Sequence, residues 1–190
     1  MNRARLAALA IIMLVPGAAA GPDIVPPALQ NIPNLAIDYY DVDGLTPNQI
    51  RQSINAKRLV DPNDSQPVDA INSWHMEWRY SIAEDGKCLP ATVAIVFSAT
   101  VRLPRLTTLG RVSGPVRARW LRYYEALTRH EAGHLAYAHA HLRDVEAAMR
   151  AASCETLSDA GHAAITQISE YELEYDRITD HGLREGATFP

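Results

Sequence analysis

The chain is poor in cysteine. Its 190 residues hold two, Cys88 and Cys154. Neither belongs to a C-x-x-C pair, which argues against a cysteine-built zinc site. Positive charge is also short: 18 Lys and Arg stand against 22 Asp and Glu, a formal charge of −4. That balance excludes a nucleic-acid binder, because such binding rests on phosphate neutralisation by Lys and Arg. No apolar run after the first twenty residues is long enough for a transmembrane helix, which needs about 20 residues. Internal repeats and low-complexity tracts are lacking as well, so the length fits one globular domain with a real core.

What is there begins with an export pattern. Arg3 and Arg5 precede an uncharged apolar run from Leu6 to Val15, Pro16-Gly17 breaks it, and Ala18-Ala19-Ala20 offers a cleavage site. This is the three-part layout of a secretory signal peptide over residues 1–20. Removing it takes the formal charge to −6 and implies a periplasmic or extracellular protein without stable membrane insertion. In an oxidising compartment an even cysteine count reads as one disulfide, Cys88–Cys154.

Residues 21–36 carry four prolines and suggest an extended lead-in segment, able to cover a cleft, before a domain over residues 37–190. A short strand is expected over residues 37–42. Thr46, Pro47 and Gln49 form a helix start with a capping box, the helix running to about Arg58. Trp74, Met76, Trp78 and Tyr80 alternate with polar residues, as do Val93, Ile95, Phe97, Ala99, Val101 and Leu103. This period of two, with a turn at Glu84-Asp85-Gly86, predicts an antiparallel hairpin with the aromatic row in the core. Apolar residues then recur at three- and four-residue steps, predicting one unbroken helix over residues 116–152 and a second over 157–180, with Gly182 as its stop. The expected fold is α+β, a small antiparallel sheet packed on a pair of long antiparallel helices.

The first helix contains His130-Glu131-Ala132-Gly133-His134. Histidines four apart project from one helix face, as two nitrogen ligands of one Zn2+ require. Glu131 is placed to take a proton from a metal-activated water. A catalytic zinc needs a third protein ligand and an open position. His139 and His141 lie too far along the helix axis and are expected to face solvent or stand behind the ligands. If the two helices are straight and antiparallel about Cys154, facing positions sum to about 309 on equal rise per residue. His134 then faces Tyr175, with Asp176 and His181 within a turn of it. His181 is the first candidate ligand, although a histidine at a helix C-terminus is also stabilising in its own right. Asp176 is the alternative, as ligand or as acceptor orienting a ligating histidine. Glu170, Glu172 and Glu174 fit less well. Tyr175 is a candidate donor to a developing oxyanion, or a core aromatic.

Four stretches carry a resemblance: Tyr39-Tyr40-Asp41-Val42; Trp74-His75-Met76-Glu77-Trp78-Arg79-Tyr80; the His130 to His134 motif; and Tyr175-Asp176-Arg177-Ile178-Thr179-Asp180-His181-Gly182 with Gly186, Phe189 and Pro190. The chain resembles a bacterial family of predicted secreted zinc-dependent proteases, long catalogued as a domain of unknown function within the zincin superfamily. The resemblance implies a zincin-like metallopeptidase acting on a peptide or protein substrate, with His130 and His134 as ligands and Glu131 as base. It also favours the His181-Gly182 region as part of the site. Two other expectations stand beside it: a non-catalytic metal-binding or scaffold protein of the cell envelope, and a zinc amidase acting on cell-wall peptides.

Overall fold

A computed structural model describes residues 25–190; the expected signal peptide lies outside them. From residue 25 onward the lead-in segment is packed rather than merely extended. A 3-10 turn over Pro27–Leu29 inserts Leu29 into the core at 1% exposure. It rests against the long helix rather than over a cleft, because one large apolar side chain outweighs the extended preference of the surrounding prolines.

Strand β1 (Leu35–Val42) follows. Helix α1 (Pro47–Asn55) starts at the expected capping box: the Thr46 side chain accepts from Gln49 N–H, and the Gln49 side chain accepts from Thr46 N–H. The helix buries Ile50 and Ile54. Two short strands, β2 (Leu59–Val60) and β3 (Pro67–Val68), pair around the loop carrying Asp61 and Asp64.

The hairpin is longer than the alternation predicts. Strand β4 (Ile71–Ile82) and strand β5 (Cys88–Leu106) run antiparallel, with a register shift between Arg79 and Ser81. The sheet order is β1-β5-β4, and β1 pairs parallel to β5. The fold is therefore α+β, as expected, but the sheet is mixed rather than purely antiparallel. β5 is the central strand, and Val93, Phe97, Ala99, Val101 and Leu103 on its inner face are buried. Each such large side chain contributes about 1.5–3 kcal/mol by leaving water.

The expected single helix is two: α2 (Gly114–Ala140) and α3 (Leu142–Ala151). The break falls at His141, whose backbone has left the helical region at φ −91°, ψ 6°. Its Nδ1 reaches the Tyr137 carbonyl at 2.9 Å, and its ring packs on Tyr137. A side chain that joins the backbone N–H on a carbonyl of the helix's last turn serves as a local cap that helical periodicity cannot reveal. After the bend, α3 packs on both β5 and the last helix, α4 (Leu157–Thr179). The disulfide Cys88–Cys154 joins the start of β5 to the α3–α4 turn. α4 ends three residues before Gly182, and Asp180, His181 and Gly182 all adopt left-handed backbone, at φ 53°, 48° and 77°. Among the described residues no helix is long and apolar enough to cross a membrane.

Candidate metal centre

Helix α2 buries polar residues that a helix facing solvent would leave wet. His130, Glu131 and His134 are 3%, 5% and 4% exposed. Buried polar groups need partners, and α4 supplies one. Asp176 Oδ1 lies 3.1 Å from His130 Nε2 and 3.1 Å from His134 Nε2, and the two Nε2 atoms are 3.4 Å apart. Burial alone would raise the Asp176 pKa. The hydrogen bonds and charge of the two histidines reverse this and hold it well below the usual carboxylate range.

This triangle tests whether zinc fits. Bonds of about 2.0–2.1 Å at tetrahedral angles put neighbouring ligand atoms about 3.3 Å apart. The observed edges match, and two imidazoles with one carboxylate are a donor set that suits zinc. The remaining nitrogen of His130 is also engaged: Nδ1 is 2.9 Å from Glu185 Oε2. That contact fixes the ring so that Nε2 faces the triangle.

Two glycines allow the approach. A Cβ on Gly133 would stand 2.8 Å from the Tyr175 hydroxyl, and one on Gly182 would stand 2.8 Å from His130 Cγ. Tyr175 stacks on His130 and meets His134 edge-on. Its hydroxyl donates to Glu185 at 3.0 Å, so it braces the carboxylate that orients His130. Tyr175 is not among the cavity-lining residues.

A cavity of about 910 Å³ opens between β4 and α4, with His130, Glu131, His134 and Asp176 on its wall. Glu131 Oε2 accepts a 2.7 Å hydrogen bond from Asn72 of β4. Burial raises the Glu131 pKa above the ordinary value, against the charge of His130 and the Asn72 hydrogen bond. The aromatic row is only partly core. Met76 is buried, whereas Trp74 and Trp78, on the same cavity wall, are half-buried, and Trp74 Nε1 donates to Glu172 at 2.7 Å. Burial pushes the Glu172 carboxyl up to about 7 despite that hydrogen bond. The hydrogen bond to Glu172 holds the Trp74 indole N–H at the cavity wall.

His181 lies on the same cavity but outside the triangle. Its Nδ1 is 3.6 Å from Asp176 Oδ1, and its Nε2 is 2.9 Å from Asp64. His139 is exposed against Phe97, and His141 closes α2. Two site residues escape the sequence reading. Asn72 shares the parity of Trp74 and Met76, so the alternation, extended by one step, places it on their face. Glu185 follows the second helix in a 3-10 turn and carries no pattern that marks it.

The profile of the family described as "Bacterial protein of unknown function (DUF922)" matches residues 37–182. The chain belongs to this family. No curated protein and no solved structure matches it. The matched span of DUF922 holds the triangle, Glu131, Asn72 and the left-handed Asp180 to Gly182 segment, and leaves out Glu185.

Proposed function

We propose that this DUF922 protein is an exported, zincin-like zinc metallopeptidase whose metal is held by His130, His134 and Asp176. The observation that carries the reading is the buried triangle of ligand atoms, with the Glu131 carboxylate between its two histidines in sequence and on the same cavity wall. Zinc held there supplies a Lewis acid that acidifies a water and polarises the scissile carbonyl. The remaining work falls to the chain. Glu131 takes the water's proton and returns it to the leaving amine. Its burial raises its proton affinity for that task, and Asn72 fixes the carboxylate. Glu185 and Tyr175 hold the His130 ring. His181 stands beside the ligand Asp176 rather than in the ligand set. β4 is an edge strand of its sheet and lines the cavity from Ile71 to Met76, so an extended peptide can align on it by strand addition. Export accords with the signal-like leader and the disulfide.

Replacing Glu131 by Gln tests this. The enzyme reading expects zinc content unchanged and cleavage of a denatured protein substrate abolished. A variant that cleaves like wild type contradicts it. Absence of cleavage in both proteins, with zinc retained, favours the envelope metal-binding protein. Cleavage of cell-wall peptides but not protein points to the amidase.

A further inference from the structure

The cavity runs on past the triangle, between β4 and α4. Glu172 stands one turn before Asp176 on α4, about 6 Å along the axis at the usual rise per residue. It is half-buried on the cavity wall, and its Oε1 takes the Trp74 indole N–H at 2.7 Å. Further along the same wall come Ile165 and then Trp78, which meets His162 edge-on with ring centroids 5.1 Å apart. Trp78 and His162 are the outermost cavity-lining residues of β4 and α4 on this side, so they end the groove.

The chemistry assigned to the metal centre leaves Glu172 unused, and no Lys or Arg of the chain answers it. The two arginines on the cavity are engaged elsewhere: Arg177 forks onto Glu174, and Arg58 bonds Asp69. A carboxylate drawn partly out of water is stabilised by an opposite charge. Indole rings attract cations, and the methylene stem of a long basic side chain packs on apolar surface. A carboxylate set among two tryptophans and Ile165 therefore selects a side chain that is apolar along its length and positive at its tip.

We propose that Glu172, with Trp74, Trp78 and Ile165, forms a specificity pocket for a Lys or Arg side chain of a peptide, close to the bond that is cut. This names a substrate class for the peptidase reading and rests on that reading for the position of the bond.

Calorimetric titration of the full chain with zinc added provides the test, in the Glu131→Gln background so that no ligand is cleaved. Two capped peptides are compared, identical except for a central lysine or norleucine. The proposal expects the lysine peptide to bind about tenfold tighter, the size of one hydrogen-bonded charge. Glu172→Gln keeps an acceptor for the Trp74 N–H and should abolish that difference. Equal affinities, binding of neither peptide, or a lysine preference that survives Glu172→Gln overturns the proposal. Lysine against norleucine compares two ligands on one protein, so that arm stands even if Glu172→Gln fails to fold. Failure of the peptidase reading looks different: the lysine preference is present in binding, while the chain with Glu131 intact cleaves no denatured protein.

Discussion

Gly182 packs directly against His130, 52 positions earlier in the chain: a Cβ there would stand 2.8 Å from the imidazole Cγ and 3.1 Å from its Cβ. Its φ of 77° is one that residues with a side chain rarely adopt. Gly182→Ala therefore meets two penalties at once. We expect a stability loss of about 1–3 kcal/mol, read by thermal unfolding, together with weaker zinc retention as the His130 ring is displaced. Unchanged zinc affinity would separate this turn from the metal centre.

Asp69 anchors the start of β4 and so positions Asn72. Its carboxylate accepts a forked pair from Arg51 at 2.7 Å, a bond from Arg58 at 2.9 Å and one from the Tyr123 hydroxyl at 2.9 Å. Burial alone would raise its pKa, but the hydrogen bonds and charge of Arg51, with Tyr123 and Arg58, lower it below the ordinary value. A depressed folded pKa adds stability that is full above the unfolded value, near 3.9. That stability drains away as the pH falls through the folded value. Asp69→Asn should cost about 3 kcal/mol at neutral pH and flatten the acid limb of a stability–pH curve measured by denaturant unfolding. An equally steep acid limb in the variant would assign acid sensitivity elsewhere.

Asn72→Ala removes the donor to Glu131 without touching a metal ligand. The Glu131 pKa, already raised by burial, rises further. A base must be deprotonated to act, so the acid limb of the kcat/KM profile should move to higher pH. Activity at neutral pH should fall about tenfold, the size of one lost hydrogen bond to a charged group, with zinc content constant. A profile that keeps its acid limb would show that another group controls it.

The disulfide closes a stretch of 66 residues. In the chain-entropy account its loss costs about 4 kcal/mol. Cys88→Ser/Cys154→Ser should unfold at markedly lower temperature yet bind zinc as wild type does, because the cross-link holds the α3–α4 turn rather than the triangle. Loss of zinc from the folded variant would contradict this.

The helical-hairpin arithmetic reaches the right partners because α2 and α4 do run against each other near the site. His134 and Asp176 meet at positions that sum to 310, and Gly133 meets Tyr175 at 308. The arithmetic survives the break at His141, which lies beyond the part of α2 that faces Asp176. It could not choose between Asp176 and His181. That choice depends on a backbone turning left-handed at Asp180, and on a distant loop whose Asp61 and Asp64 engage His181. Such pairing, across more than 110 residues, leaves no trace in local periodicity. β5's alternation reports its inner face faithfully because it is the central strand. β4's alternation places Trp74 and Trp78 on the inner face, where they pack against the core, but it does not show that they also line a cavity, because an edge strand shares its inner face between core and cleft. Nor does composition reveal that β1 joins the sheet in parallel, since parallel pairing is set by the long connection through α1 and the hairpin.

The most direct test is the tightly held zinc of the full chain after dialysis against a weak chelator, in wild type, Asp176→Ala and His181→Ala. The account expects one tight equivalent in wild type and in His181→Ala, and none in Asp176→Ala. Full retention in Asp176→Ala would contradict it, and retention there with loss in His181→Ala would make His181 the third ligand.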